Sequence, residues 1–245
     1  MATSLSRSQD ELRPQLGRNL TYGLLDRLGR AIVTGQYETQ PFPTEAELTT
    51  QHGVSRSVTR EAVKMLTAKG LLSARPRQGT VVEPTSSWNL FDTDVLRWLL
   101  ERQFSVELLK QFNQLRVAIE PEAAALAARF ASNADIEAIG EGLARMEAAE
   151  AGMDDTLEAD IAFYVSILRA SGNPFYVQFR DVVGTALRTS IRFTNRVKGR
   201  TANVADHGRV LEAIQARDPN SARTAMRALI SDVLELIDAH ENTPA

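Results

Sequence analysis

The sequence predicts a mainly α protein: an N-terminal winged helix-turn-helix followed by an all-α antiparallel helical bundle. Three observations predict it. Residues 19–84 carry three short helical patterns and then two β-prone runs, whereas helical periodicity with almost no β signal fills the chain from residue 92 onward. Between these regions Pro84-Thr85-Ser86-Ser87 reads as a linker. Charge divides at the same place, because residues 1–84 hold 11 Lys+Arg against 8 Asp+Glu while the whole chain is at −3. The expected organisation is a flexible tail at 1–18, a DNA-binding module at 19–84, a linker at 85–91 and a helical domain at 92–240.

In the first module Leu20, Leu24, Leu25, Leu28, Ile32 and Val33 recur at helical spacing, and Gly35 stands where a left-handed residue ends a helix. Thr44-Glu45-Ala46-Glu47 predicts a capping box and a second helix to about Gln51. After the His52-Gly53 break, Ser55 caps a third helix whose buried stripe is Val58, Ala62, Met65 and Leu66. Its other face repeats Arg56, Arg60 and Lys64 every four residues beside Ser57 and Thr59. A short turn between two helices, the second one basic, is how a recognition helix meets the major groove. Arg56 or Arg60 can grip guanine through two hydrogen bonds, while Thr44, Ser55, Ser57 and the helix N-terminus suit phosphate oxygens.

Gly70 closes the third helix, and Leu71 to Ala74 and Thr80 to Val82 flank Arg75-Pro76-Arg77-Gln78-Gly79 as a β-hairpin with a basic tip. Such a wing lays Arg75, Arg77, Gln78 and the Gly79 backbone against phosphate or into the minor groove. The segment from His52 to Thr80 carries a local balance of +5. A solvated basic face is the bland alternative, and the hairpin that follows weighs against it.

Helical patterns continue at about 92–102, 105–130, 133–151, 155–171, 174–197, 203–217 and 220–239, with a break at Gly172-Asn173-Pro174. Bundles of this kind place ligands among facing helices. Polar residues set in apolar helical surroundings are the candidates: Arg116 with Glu120, Asp160 with Tyr164, Arg188 and Arg192 with Asn195 nearby, and His207. Each pair also reads as an intrahelical structural contact. The guanidinium fork of Arg116, Arg192 or both suits a small carboxylate, and Asp160, Glu120, Asn195 and His207 suit the hydroxyls of a sugar acid.

Several classes are excluded. The absence of cysteine removes disulfides, thiolate metal sites and thiol nucleophiles. No apolar stretch approaches the roughly 20 residues of a bilayer span, so no membrane association is expected. A polar N-terminus with both charge signs predicts no secretory leader, and the expected location is cytoplasmic. A helical metal-dependent enzyme with an accessory DNA-binding head is the rival reading, but no nucleophile elbow, phosphate loop or zinc-protease motif is present.

The strings Phe42-Pro43-Thr44-Glu45-Ala46-Glu47-Leu48, Gly53-Val54-Ser55-Arg56-Ser57-Val58-Thr59-Arg60-Glu61-Ala62, Lys69-Gly70-Leu71 and Gln78-Gly79-Thr80 resemble the GntR family of bacterial regulators over roughly residues 18 to 83. That resemblance implies DNA contacts at Ser55, Arg56, Ser57 and Arg60, with Gln78 and Gly79 on the wing. Relatives commonly place Arg where this chain has Ala46. A homodimer on a near-palindromic double-stranded operator is expected, because one small winged module makes too few base contacts for high specificity and two-fold symmetry doubles them. The helical domain resembles the FadR-type (FCD) branch, which implies, in many members, a divalent metal such as zinc. Asp160 and His207 fall on two of the implied ligand positions, while Tyr164 and Leu229 stand where the family has histidines. The segment from Trp88 to Trp98 resembles regulators of galactonate and related sugar-acid catabolism. Together these imply a transcriptional repressor controlled by a small carboxylate.

Overall fold

The structure, a computed structural model, describes residues 7–102, 106–188 and 203–241, with side chains at 19–100, 106–188 and 203–239. Two compact units divide the chain, residues 1–103 and 104–245. The first contains α1 (Arg7–Val33), α2 (Glu45–His52), α3 (Arg56–Ala68), β1 (Leu72–Arg75), β2 (Gly79–Val82), a 3-10 turn (Thr85–Ser87) and α4 (Thr93–Arg102). Leu24, Leu25, Leu28 and Ile32 of α1 meet Leu48 of α2, Val58, Ala62 and Leu66 of α3, and Leu71 and Leu72 at the wing in one buried cluster.

The caps form where the residue types dictate. Thr44 Oγ1 accepts from the Glu47 amide at 3.3 Å while the Glu47 carboxylate accepts from the Thr44 amide at 2.8 Å. Gly53 (φ 61°) ends α2 in the left-handed region. Ser55 Oγ accepts from the Val58 amide at 3.3 Å and starts α3. The strands pair antiparallel from Leu72↔Val82 to Arg75↔Gly79, leaving a three-residue tip. Gly70 is required twice over: its φ is 80°, and a Cβ there would lie 2.2 Å from the Ser87 carbonyl oxygen.

Two expected boundaries are corrected. The backbone of residues 7–18, expected as a flexible tail, continues α1 back to Arg7. The stretch expected as linker and first bundle helix instead packs on the first unit, since Trp88, Val95 and Trp98 belong to its core cluster. A Cβ on Gly29 would lie 2.3 Å from the Trp98 ring, so α1 and α4 approach closely only because glycine stands there. Lys69 Nζ donates to Asp92 at 2.7 Å and Asp94 at 2.9 Å, and Asp26 accepts from Trp98 Nε1 at 2.8 Å and Arg97 Nη2 at 2.9 Å.

The second unit is the helical bundle: α5 (Val106–Phe130), α6 (Asn133–Glu150), α7 (Thr156–Ala170), α8 (Pro174–Gln178), α9 (residues 180–188), α10 (Val204–Gln215) and α11 (Pro219–Glu241). α5 packs against α7 and α11, and α6 packs against α7 and α10. Ala123, Ala124, Ala127 and Ala128 bury one small-residue face of α5. Gly142 brings α6 within 3.0 Å, measured from its would-be Cβ, of the Phe163 backbone. The single helix expected from residue 174 is interrupted early. The chain tightens at Phe179, whose amide bonds Tyr176 O at 3.0 Å, an i→i+3 bond.

Candidate DNA interface and effector site

On α3 the side chains of Arg56, Arg60 and Lys64 are exposed, in line with the spacing that predicts a cationic face. Arg60 Nε stands 3.6 Å from Glu45 Oε2 on α2. Beneath this face, Thr59 is fully buried and its hydroxyl meets Thr49 Oγ1 at 3.0 Å, tying the two helices together. At the start of α3, Ser55 and Ser57 share a hydroxyl hydrogen bond of 2.9 Å. Thr44 is exposed at the α2 cap.

The wing separates its two arginines. Arg75 Nη2 donates to Glu83 Oε1 at 3.0 Å, and Glu83 also accepts from the Ser73 hydroxyl. Those two hydrogen bonds, Ser73 first, hold the Glu83 carboxyl below its usual range. Arg77 is exposed at the tip with φ 65°, in a turn closed by the Gln78 amide on Arg75 O at 3.1 Å. A left-handed arginine costs conformational energy that glycine would not, and it stands at the point farthest from β-pairing. Gly79 (φ 77°) follows with open space around its would-be Cβ, and Gln78 is exposed.

In the second unit a buried polar cluster joins three helices. Arg116 of α5, 2% exposed, donates from Nε to Glu120 Oε1 at 2.7 Å and from Nη2 to Oε2 at 2.9 Å. Its third arm donates to Asn113 Oδ1 at 3.1 Å, and its Cζ lies 4.6 Å from the centre of the Tyr164 ring. Burial works against this charge, but the Glu120 carboxylate outweighs it and keeps the guanidinium protonated. Burial, reinforced by Asp160, pushes the Tyr164 hydroxyl above its ordinary range and keeps it neutral.

His207 of α10 donates from Nδ1 to the Asn203 carbonyl at 2.9 Å, since a carbonyl can only accept. Nε2 of the same ring faces the Tyr164 hydroxyl at 3.2 Å and Asp160 Oδ1 at 3.3 Å. Asp160 Oδ1 is buried without a hydrogen-bond partner. It is an acceptor still seeking a donor.

The zinc implied by the family resemblance does not fit these residues. Asp160 and His207 supply two donors, the Tyr164 phenol is neutral, and Leu229 on α11 has none. Among the described residues no group of three His, Cys, Asp or Glu side chains comes together, whereas zinc ordinarily takes three or four.

The structure thus brings Arg116, Glu120, Asp160, Tyr164 and His207 into one chain of contacts. Arg192 and Asn195 lie outside the described residues. Arg188 is exposed and pairs with Glu158. Asn113 was not among the expected residues, although its position three before Arg116 on one helix face could have marked it. Glu45 escaped for a different reason, since its partner Arg60 lies on another helix.

Two helices joined by a tight turn, a basic second helix and a β-wing define a winged helix-turn-helix DNA-binding protein. Residues 21–82 match the family described as bacterial regulatory proteins, gntR family, and residues 111–232 match the FCD domain. The chain is 33% identical over 216 residues to the HTH-type transcriptional regulator YieP of Escherichia coli (strain K12), covering 87% of this chain and 93% of that protein. It is 31% identical over 218 residues to the galactonate operon transcriptional repressor of the same organism, covering 87% and 94%. The fold is similar to that of E. coli McbR/YncC, with a TM-score of 0.51 at 18% identity over 91% of this chain and 99% of that one. The chain belongs to the GntR family and carries an FCD domain. It is a transcriptional regulator and not an enzyme. No helix among the described residues is long and apolar enough to cross a membrane.

Proposed function

We propose that this regulator is a cytoplasmic repressor that grips a near-palindromic double-stranded operator as a homodimer and releases it when a small carboxylate, such as a sugar acid, reaches Arg116. One observation carries the effector reading: the buried guanidinium already holds a carboxylate, that of Glu120, through two parallel hydrogen bonds. A site shaped for an internal carboxylate accepts an external one of the same geometry. Asp160 Oδ1, which lacks a donor, suits a ligand hydroxyl. The likeness to a galactonate operon repressor supports the same ligand class.

Exchange of Glu120 for the incoming carboxylate frees Glu120 to repack, and a ligand shifts the operator-binding equilibrium only by its differential affinity for the two arrangements. Dimerisation follows from the small size of one winged module, because two-fold symmetry doubles the base contacts. The effector is read directly by arginine and not through a metal.

A thermal-shift and calorimetric screen of sugar acids on the full-length protein tests this reading. Galactonate or a related acid is expected to bind wild type in the presence of chelator. Arg116→Lys, which keeps the charge but loses the fork, is expected to weaken that binding by about tenfold or more while leaving operator affinity intact. Binding that requires added zinc, or that survives Arg116→Lys unchanged, would overturn the assignment.

A further inference from the structure

The α2 N-terminus carries two glutamates with different fates. Glu47 is consumed by the capping box, where its carboxylate accepts from both the amide and the hydroxyl of Thr44 at 2.8 Å. Glu45 takes no part in the cap, and its carboxylate lies across the helix turn, 3.6 Å from Arg60 Nε. The placement is built into the fold. The buried Thr59 hydroxyl bonds Thr49 at 3.0 Å, and Thr49 Oγ1 donates to the Glu45 carbonyl at 2.7 Å, so α2 and α3 are held in register beneath the ion pair.

Arg56 and Lys64 lie one helical turn before and after Arg60, yet neither has an ion pair or side-chain hydrogen bond among the described residues. Of the three cations on this face, only Arg60 is oriented. Beside Glu45, Ala46 brings no charge of its own to compete for the carboxylate.

We propose that Glu45 is a positioning residue that makes Arg60 the specificity-determining arginine of the DNA face. This rests on the reading of α3 as the helix that enters the major groove. A guanidinium has five N–H donors, and a carboxylate at Nε leaves the two terminal nitrogens free to meet guanine O6 and N7 together. The exposed ion pair contributes little in water. It acts by favouring rotamers that keep the guanidinium beside α2 before DNA arrives, so less rotamer entropy is lost per hydrogen bond formed. The carboxylate also repels base acceptors that are not paired by the Arg60 fork, which lowers affinity for wrong sequences. Arg56 and Lys64, which have no such support, serve affinity more than sequence choice.

The test uses full-length wild type, Glu45→Gln and Arg60→Ala, each checked by thermal melting. A randomised duplex library is selected with wild type, and binding to the selected duplex and to each single-base variant is then read by fluorescence anisotropy. Wild type is expected to lose about tenfold or more at one guanine position in each half-site. Glu45→Gln is expected to compress that loss to about threefold or less while binding random duplex as tightly as wild type or more tightly. Arg60→Ala should flatten the same position. If Glu45→Gln keeps the wild-type profile while Arg60→Ala flattens it, Arg60 reads the base unaided and the role of Glu45 is overturned. If Arg60→Ala also keeps the profile, Arg60 is no base reader and the proposal is overturned, while the groove-facing assignment of α3 stands through Arg56.

Discussion

Arg60 and Arg116 each face a glutamate, and the two pairs could hardly be more different in setting. Arg60 and Glu45 stand 3.6 Å apart with side chains 66% and 45% exposed, whereas Arg116 and Glu120 meet at 2.7 Å with side chains 2% and 3% exposed. In water the first pair is weak, and it leaves the terminal nitrogens of Arg60 open to DNA. The second cannot be broken without leaving a buried charge uncompensated, so only another anion can replace Glu120. One residue type thus serves two tasks, with burial deciding which.

The largest effect that would break this comparison lies at the buried pair. Glu120→Ala removes the partner of a buried guanidinium and should cost about 3–5 kcal/mol of folding stability, measured by urea unfolding. Glu120→Gln, which keeps shape and one acceptor, should cost less. Acetate or galactonate at millimolar concentration should raise the melting temperature of the Ala variant more than that of wild type. A cost within experimental error for both variants would show that burial does not set the value of this pair.

A pair of intermediate exposure sharpens the gradient. Burial alone would raise the Asp26 carboxyl, but hydrogen bonds from Trp98, Arg30 and Arg97 outweigh it and lower the group to about 2. Because the folded value is depressed, the stabilisation is present above the ordinary carboxylate range and is lost as pH falls from near 4 through about 2. With the side chain 36% exposed, solvent screening limits it to about 1 kcal/mol. Asp26→Asn should therefore flatten the acid limb of the stability-against-pH curve slightly, and an unchanged limb would remove Asp26 from the account.

The smallest effect is expected at the wing. Arg75→Ala breaks a half-exposed pair with Glu83 and should leave the denaturation midpoint nearly unchanged. Chemical denaturation of this variant alongside Glu120→Ala would place both ends of the gradient on one scale.

The caps at Thr44 and Ser55, the wing around Pro76 and the cationic spacing of Arg56, Arg60 and Lys64 were all legible in the sequence. Each depends on residues within a few positions of one another, where backbone geometry leaves few choices. The pairing of Arg116 with Glu120 was legible for the same reason. The local reading failed where contacts crossed long separations. Residues 85–102 looked like a linker and the start of a bundle, yet Trp98 reaches Gly29 and Asp26 on a helix some 70 residues earlier. Pattern reports which face of α4 is apolar but not which core receives it.

The sequence by itself determined the two-module class, the recognition face and the family, because periodicity, capping chemistry and motif strings are local properties of the chain. Only the tertiary structure decided that α4 belongs to the DNA-binding unit, that Asp160 faces His207, that Glu45 stands beside Arg60, and that Glu83 ties back Arg75 while Arg77 is exposed at the wing tip. Those outcomes depend on packing and on the competition of several polar groups for one partner. Such competition is settled by distances between elements, which no spacing along the chain encodes.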